Sequence, residues 1–330
     1  MDDARILVTG GAGFIGSALV HALNGRGAER IVIADQLGTG DKWRNLSPLR
    51  FEDYLEKDDL LPALERGALG GFDLVLHLGA CSSTTESDAS FLIRNNYEFS
   101  KELAAWAVER GARFVYASSA ATYGSGAHGM SDRDVSVVTL SRLRPLNMYG
   151  YSKQLFDLWA AQEGLLSRVT CLKYFNVFGP NEAHKGDMRS LIAKAVPQVL
   201  ETGTLRLFRS HRPDVEHGEQ RRDFLYVEDA VAMTLHLAEQ QDAVGIYNIG
   251  SGRASTWNEL AAALFAALNR EPAIEYIDMP ESIREKYQYH TEAEIDRLRE
   301  SGYVEPARPL ANAVTEYVRD YLLPDRRLGD

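Results

Sequence analysis

Residues 8–16 read VTGGAGFIG, so that an apolar strand runs into closely spaced glycines and straight on into a helix. Gly10, Gly13 and Gly16 satisfy G-x-x-G-x-x-G, and Gly11, Gly13 and Gly16 satisfy G-x-G-x-x-G. Glycines at such a junction let the backbone approach a pyrophosphate, and the helix start offers N–H donors that no earlier turn uses. A lone glycine pattern is weak, with a ligand-free tight turn as its competing reading. Here Asp35 closes the next strand 19 residues after Gly16, which is the setting a dinucleotide fingerprint requires. Asp35 suits a ribose 2′-hydroxyl and therefore NAD. Lys42 and Lys57, just downstream, suit a 2′-phosphate or are solvated surface lysines. These residues leave NAD and NADP both open.

Such a turn belongs in a parallel sheet, and the flanking pattern agrees. Runs at 5–9, 30–35, 72–78, 113–119 and 169–175 are apolar nearly throughout, as strands buried on both faces must be. Helical stretches at 14–25, 98–110 and 149–164 lie between them. The expected fold class is α/β: a Rossmann-type doubly wound parallel sheet with a smaller α/β substrate domain. Residues 1–175 form the dinucleotide-binding domain, with a return to it at about 223–250. Residues 176–222 and 251–330, with longer polar loops and isolated helices at 189–203 and 257–268, form the second domain.

The chain has 330 residues, 45% of them hydrophobic, enough for one large or two intimate domains. A net charge of −11 argues against nucleic acid as a partner. The acidic opening MDDARILVTGG is unlike a secretory signal, and no window approaches ~18 uninterrupted apolar residues. Cys81 and Cys171 read most simply as reduced core thiols. A cytoplasmic enzyme without a membrane partner or a metal site is expected.

The stretch PLNMYGYSKQLFD, 145–157, carries two tyrosines. On a helix, Tyr149 and Lys153 are i and i+4 and share a face, whereas Tyr151 points about 200° away from Lys153 and is assigned to packing. An ammonium beside a phenol favours the phenolate, which makes Tyr149 the proton acceptor and Lys153 its electrostatic partner and a ribose ligand. Y-x-x-x-K arises often by chance. Order along the chain strengthens it: glycine turn, then YASSAATYG (116–124) at a strand's carboxyl end, then Tyr149. Ser119 there is placed to hydrogen-bond a substrate hydroxyl.

This layout resembles the extended short-chain dehydrogenase/reductases over essentially the whole chain. Dehydratases of that group place an Asp–Glu pair after the serine; Ala120 and Ala121 stand here, which disfavours dehydration. Six stretches narrow the resemblance: GACSSTTESD (79–88), NNYEFSKEL (95–103), YASSAATYG, PLNMYGYSK, YFNVFGPNEAHKG (174–186) and RRDFLYVEDA (221–230). Together they resemble the ADP-L-glycero-D-manno-heptose 6-epimerases of lipopolysaccharide inner-core synthesis.

That resemblance implies an isomerase with tightly held NADP, assembled as a homo-oligomer, often a pentamer. It implies oxidation at C6 to a 6-keto sugar, reorientation, and return of hydride to the other face. Two bases follow from it, Tyr149 and Lys185, the latter in AHKG. From the residues alone Lys185 reads as a solvated loop lysine. The same resemblance assigns Phe14, Ile15, Asp35, Gln36, Lys42 and Lys57 to the cofactor. Leu78, Gly79, Ala80, Cys81 and Ser82 join them, with Asn95, Lys153, Val177 and Lys185. It assigns Asn176, Arg222 and Tyr287 to substrate, with Phe208, Arg209, Ser210 and His211 lining the nucleotide end. A guanidinium suits a diphosphate; for Arg222 the competing reading is a surface ion pair with Asp223 or Glu219. Asp187 after HKG and Lys194 seven residues on depart from the family pattern and are kept as substrate contacts. The 211–219 stretch is longer than in some relatives. Two other functions compete: a UDP-hexose 4-epimerase, which has no call for Lys185 as second base, and a silent dinucleotide sensor, which has no need of the tyrosine–lysine pair.

Overall fold

The structure, a computed structural model, describes residues 3–284 and 287–330. Its first half supplies strands β1 (Ile6–Thr9), β2 (Ile31–Asp35), β3 (Asp53–Glu56), β4 (Leu74–His77), β5 (Arg113–Ser119) and β6 (Val169–Tyr174). The remainder adds β7 (Asn176–Phe178), β8 (Leu205–Phe208), β9 (Arg221–Tyr226), β10 (Gly245–Ile249), β11 (Ala254–Thr256) and β12 (Ile274–Ile277). A seven-stranded sheet runs β10-β6-β5-β4-β1-β2-β3, parallel at every pairing.

The α/β expectation holds, with one strand more than the five apolar runs and the expected return to the sheet supply. β3 (DYLE) is an edge strand, exposed at both ends, so it carries no continuous apolar run. The return to the sheet narrows to β10, whose five residues are all buried against β6. β9 pairs elsewhere.

Period-two alternation distributes the core over both faces of the sheet. Ile6, Val8, Ile31 and Ile33 pack with helix α1 (Phe14–Gly25) and the helix Val227–Glu239. Leu7, Val32, Val75 and Phe114 pack with the helices Phe99–Glu109 and Met148–Gln162. Each such fully buried side chain contributes about 1.5–3 kcal/mol relative to exposure. The order reverses between β1 and β4, where a doubly wound sheet opens a crevice at its carboxyl edge.

A third cluster lies under two small sheets, β11-β9-β7 and β12-β8. There the helices Leu191–Thr202 and Trp257–Ala267 bury Val196, Leu264 and Phe265 against Phe178 and Tyr226. Thr256 and Glu259 form a reciprocal capping box that fixes where the second of these helices starts.

Candidate active site

The glycine turn is shaped by contact. Gly10 has φ +71°, and a Cβ there would lie 2.7 Å from the Gly79 amide; a Cβ on Gly16 would lie 2.0 Å from the Gly10 carbonyl. Only hydrogens fit, so the start of α1 tucks under the turn and its amides face the crevice. Gly16→Ala is expected to lower the melting temperature and the dinucleotide content of purified protein, an overpacking cost of about 1–3 kcal/mol. Gly25→Ala, whose Cβ meets nothing within 4 Å, should leave both near the parent values. Thermal melts and quantification of released dinucleotide check this.

Beside the turn, both Asp35 oxygens are engaged: Oδ2 accepts from the Ala12 amide at 2.8 Å, and Oδ1 from the Gln36 amide at 2.7 Å and from Lys42. Lys57 donates to Asn95 Oδ1 at 2.8 Å.

Four cavities follow one another along the crevice. The first, about 290 Å³, brings Gly10, Gly13, Phe14, Ile15 and Gly16 together with Leu78, Gly79, Ala80 and Ser82. It also takes in Asp35, Lys42, Val177, Ser119, Tyr149, Lys153 and Lys185. A second, about 330 Å³, adds Gln36, Lys57, Cys81 and Asn95. Every cofactor candidate therefore lies on one of two adjoining walls. The cradle that a Cβ would fill and the amides of α1 fit a nicotinamide dinucleotide.

At the reaction end, the Asn147 side chain caps the helix by accepting from the Gly150 amide at 2.8 Å. Gly150 separates the two tyrosines for a steric reason: a Cβ there would lie 2.8 Å from the Ala121 carbonyl. The helix thus presses onto the segment after β5 and brings Tyr149 to Ser119. Tyr151 lies on the far side and is 44% exposed, so its assignment to packing is corrected: it is a surface residue.

The electrostatics also differ from the simple picture of an ammonium depressing a phenol. Removal from water pushes the Tyr149 phenol up, opposed by the Ser119 hydroxyl. Lys153 is 2% exposed and is pulled down to about 7 by burial, against the field of Asp157. Lys185 also is pulled below its ordinary range by burial, with Glu182 opposing. Its Nζ sits 5.2 Å from the centre of the Phe14 ring.

Lys185 and Val177 extend into a third, largely apolar cavity of about 510 Å³, also lined by Asn176, Lys194, Phe208 and Tyr287. Arg222 is 6% exposed, with its guanidinium 4.9 Å from the Tyr287 ring and 5.8 Å from the Trp257 ring. The surface ion pair considered for it is absent: Asp223 is taken by Ser251, Gly252 and Ala293, and Glu219 accepts from Asn258 at 2.7 Å. A fourth cavity, about 180 Å³, joins Ser119, Tyr149 and Asn176 to Ala120 and Ala121. No carboxylate lines it among the described residues.

The structure does not gather all candidates. Arg209 turns to the Tyr276 carbonyl. Ser210 and His211 line a separate open depression in the 210–217 loop. Asp187 is exposed, and among the described residues its carboxylate accepts no side-chain or loop hydrogen bond; its backbone carbonyl accepts from Lys194 at 3.2 Å.

Three basic wall residues escaped sequence reasoning. His184 is pulled down to about 4 by burial and by Lys42 and Lys185, and it meets Asn45 Nδ2 at 3.3 Å. Arg189 and Arg206 line the apolar cavity. His184 stands beside Lys185 in AHKG, the one signal that pointed to it; the two arginines carried none.

The sequence signature of the NAD dependent epimerase/dehydratase family matches residues 6–250. An ADP-L-glycero-D-manno-heptose-6-epimerase of Nitratidesulfovibrio vulgaris (strain DP4) is 54% identical over 317 residues, covering 96% of this chain and 97% of that protein. One of Fusobacterium nucleatum is 43% identical over 325 residues, covering 96% and 98%. Among solved structures, the Helicobacter pylori ADP-L-glycero-D-manno-heptose-6-epimerase superposes with a TM-score of 0.79 at 27% identity, over 97% of this chain and 96% of that one. The UDP-N-acetylglucosamine 4-epimerase of Methanobrevibacter ruminantium gives 0.81 at 26%, over 97% and 98%. Fold alone thus leaves the sugar open, whereas sequence identity separates the candidates.

Proposed function

The chain belongs to the NAD dependent epimerase/dehydratase family, and from that premise we propose that it inverts C6 of ADP-D-glycero-D-manno-heptose to give the L-glycero epimer. The observation that carries the reading is a single cavity holding the glycine turn, Tyr149 and Lys185, a dinucleotide cradle with two proton-carrying groups. A nicotinamide dinucleotide held by these residues would supply reversible hydride acceptance.

The protein's own groups handle the protons. Tyr149, with Ser119 beside it, takes the proton of the C6 hydroxyl as the 6-keto sugar forms. Lys153 stabilises the phenolate electrostatically and holds the cofactor ribose. Lys185, brought toward neutrality by burial, serves the hydroxyl when it lies on the other side. Arg222 is a buried cation that pairs with no carboxylate among the described residues, and such a group favours an anionic ligand at the neighbouring cavity, here the diphosphate. Residues 176–222 and 251–330 form the substrate-binding region, and the apolar cavity receives the nucleotide. The alanines at 120 and 121 leave no acid to expel water, which favours epimerisation over dehydration.

For the cofactor we favour NADP. Asp35 has both oxygens occupied, and Lys42 and Lys57 bring positive charge to the same wall. The resemblance adds a homo-oligomer working in the cytoplasm. No described helix is long and apolar enough to cross a membrane.

One experiment tests substrate and cofactor together. Purified protein is denatured and its released dinucleotide identified, and native protein is assayed with ADP-heptose and UDP-galactose separately. Release of NADP and turnover of the heptose are expected. Turnover of UDP-galactose alone would give the site to 4-epimerisation, and release of NAD would remove the role given to Lys42 and Lys57.

A further inference from the structure

Tyr149, Lys153 and Asp157 recur every fourth residue on one helix, so all three occupy one face. The proton transfers above leave Asp157 unused, yet it is fully buried. Its Oδ2 accepts from Ser118 Oγ at 2.9 Å and lies 3.3 Å from Lys173 Nζ, while its Oδ1 has no hydrogen-bond partner among the described residues. Lys173, buried on β6, also donates to Thr122 Oγ1 at 2.8 Å, and that hydroxyl donates to the Ser119 carbonyl at 2.8 Å. One turn before Asp157, the Lys153 ammonium lies 4.5 Å from the centre of the Tyr116 ring.

The groups packed around them carry little charge. His77 on β4 is held neutral by burial, and burial likewise raises the Tyr116 and Tyr123 phenols and the Cys171 thiol. Asp132, the next carboxylate outward, accepts from the Asn248 amide at 2.8 Å. Two buried lysines therefore depend on one buried carboxylate, and in a poorly hydrated interior an uncompensated charge is costly.

We propose that Asp157 is a positioning residue of the redox centre, its carboxylate shared between Lys173 and Lys153, so that Lys173 sets how firmly the Lys153 ammonium is held beside Tyr149. Asp157→Asn removes the counter-charge and must make Lys153 easier to deprotonate. Lys173→Met removes the competitor and, with Asp157 still ionised against the upward push of burial, must make it harder. Two substitutions in one ion pair thus push Lys153 in opposite directions, whereas a purely structural pair would weaken the fold in both and leave Lys153 unmoved.

This inference rests on the placement of Lys153 in the dinucleotide site, but its test does not depend on turnover or on the sugar. The Lys153 side chain is titrated by ¹³C NMR in the full chain, with and without added dinucleotide. Its signal is assigned by its loss in Lys153→Met. The midpoint is expected to fall by about 1–3 units in Asp157→Asn and to rise in Lys173→Met, the range for a neighbouring charge. The basic limb of the turnover profile should move the same way in each. If Asp157→Asn does not fold, the double variant Asp157→Asn/Lys173→Met, which leaves neither charge unpaired, is compared with Lys173→Met alone. Adding Asp157→Asn to that background must lower the midpoint. An unchanged midpoint, or shifts of the same sign in the two single variants, overturns the proposal.

Discussion

Tyr149→Phe is expected to reduce epimerisation of the ADP-heptose by about 10²–10⁴-fold, the usual span for removing a general acid–base group. The substitution deletes one hydroxyl at the wall shared by the first and fourth cavities and leaves the ring in place. Dinucleotide content and melting temperature should therefore stay near the parent values. Ser119 keeps its bond from the Ala121 amide at 3.1 Å and cannot take over, because a hydroxyl is a far weaker base than a phenolate beside an ammonium. Tyr151→Phe is the control: two residues away and 44% exposed, it should leave turnover unchanged. Steady-state rates with the heptose nucleotide read both. A Tyr149→Phe variant retaining more than about a tenth of parental turnover would remove the phenol from the proton transfer.

The placement of these groups was legible where local geometry decides it. The strand–glycine–helix junction and the runs that became β1, β2, β4, β5 and β6 are statements about neighbours in sequence, and i, i+4 spacing selects Tyr149 over Tyr151. β3 was not legible, since an edge strand needs no apolar run. Arg222 is a different case. Side chains of successive strand residues point to opposite faces, so on β9 Arg222 and Asp223 could not have paired, and the alternation would have said so. The Asp157–Lys173 pair joins a helix to a strand across the sheet interior, which no local pattern can encode. Nor does the sequence show that desolvation outweighs the Ser119 hydroxyl at the Tyr149 phenol, because that balance depends on burial.

Burial also decides the second large expected effect, that of Lys185. Read as a loop lysine it would be solvated and permanently charged; in the structure it is half-buried where the first and third cavities meet, and burial draws it below its ordinary range. Glu182 opposes that fall, but its carboxylate is held by the Ser190 amide at 2.6 Å, by the Ser190 hydroxyl and by Tyr317. A base must be unprotonated, so a lowered value enlarges the competent fraction at neutral pH. Activity should then fall as acidification recharges the amine. Lys185→Met is expected to lower epimerisation by at least about 10²-fold, roughly 2.7 kcal/mol in the barrier, without loss of dinucleotide. Lys185→Arg separates charge from proton transfer: it preserves the cation and much of the length, but a guanidinium cannot deprotonate. If Lys185 acts as a base, arginine fails as badly as methionine, and the limb that Lys185 sets disappears from the pH profile in both. If arginine restores turnover, Lys185 serves only as a positive charge. A fully active Lys185→Met variant would leave Tyr149 as the sole base and end the two-base account.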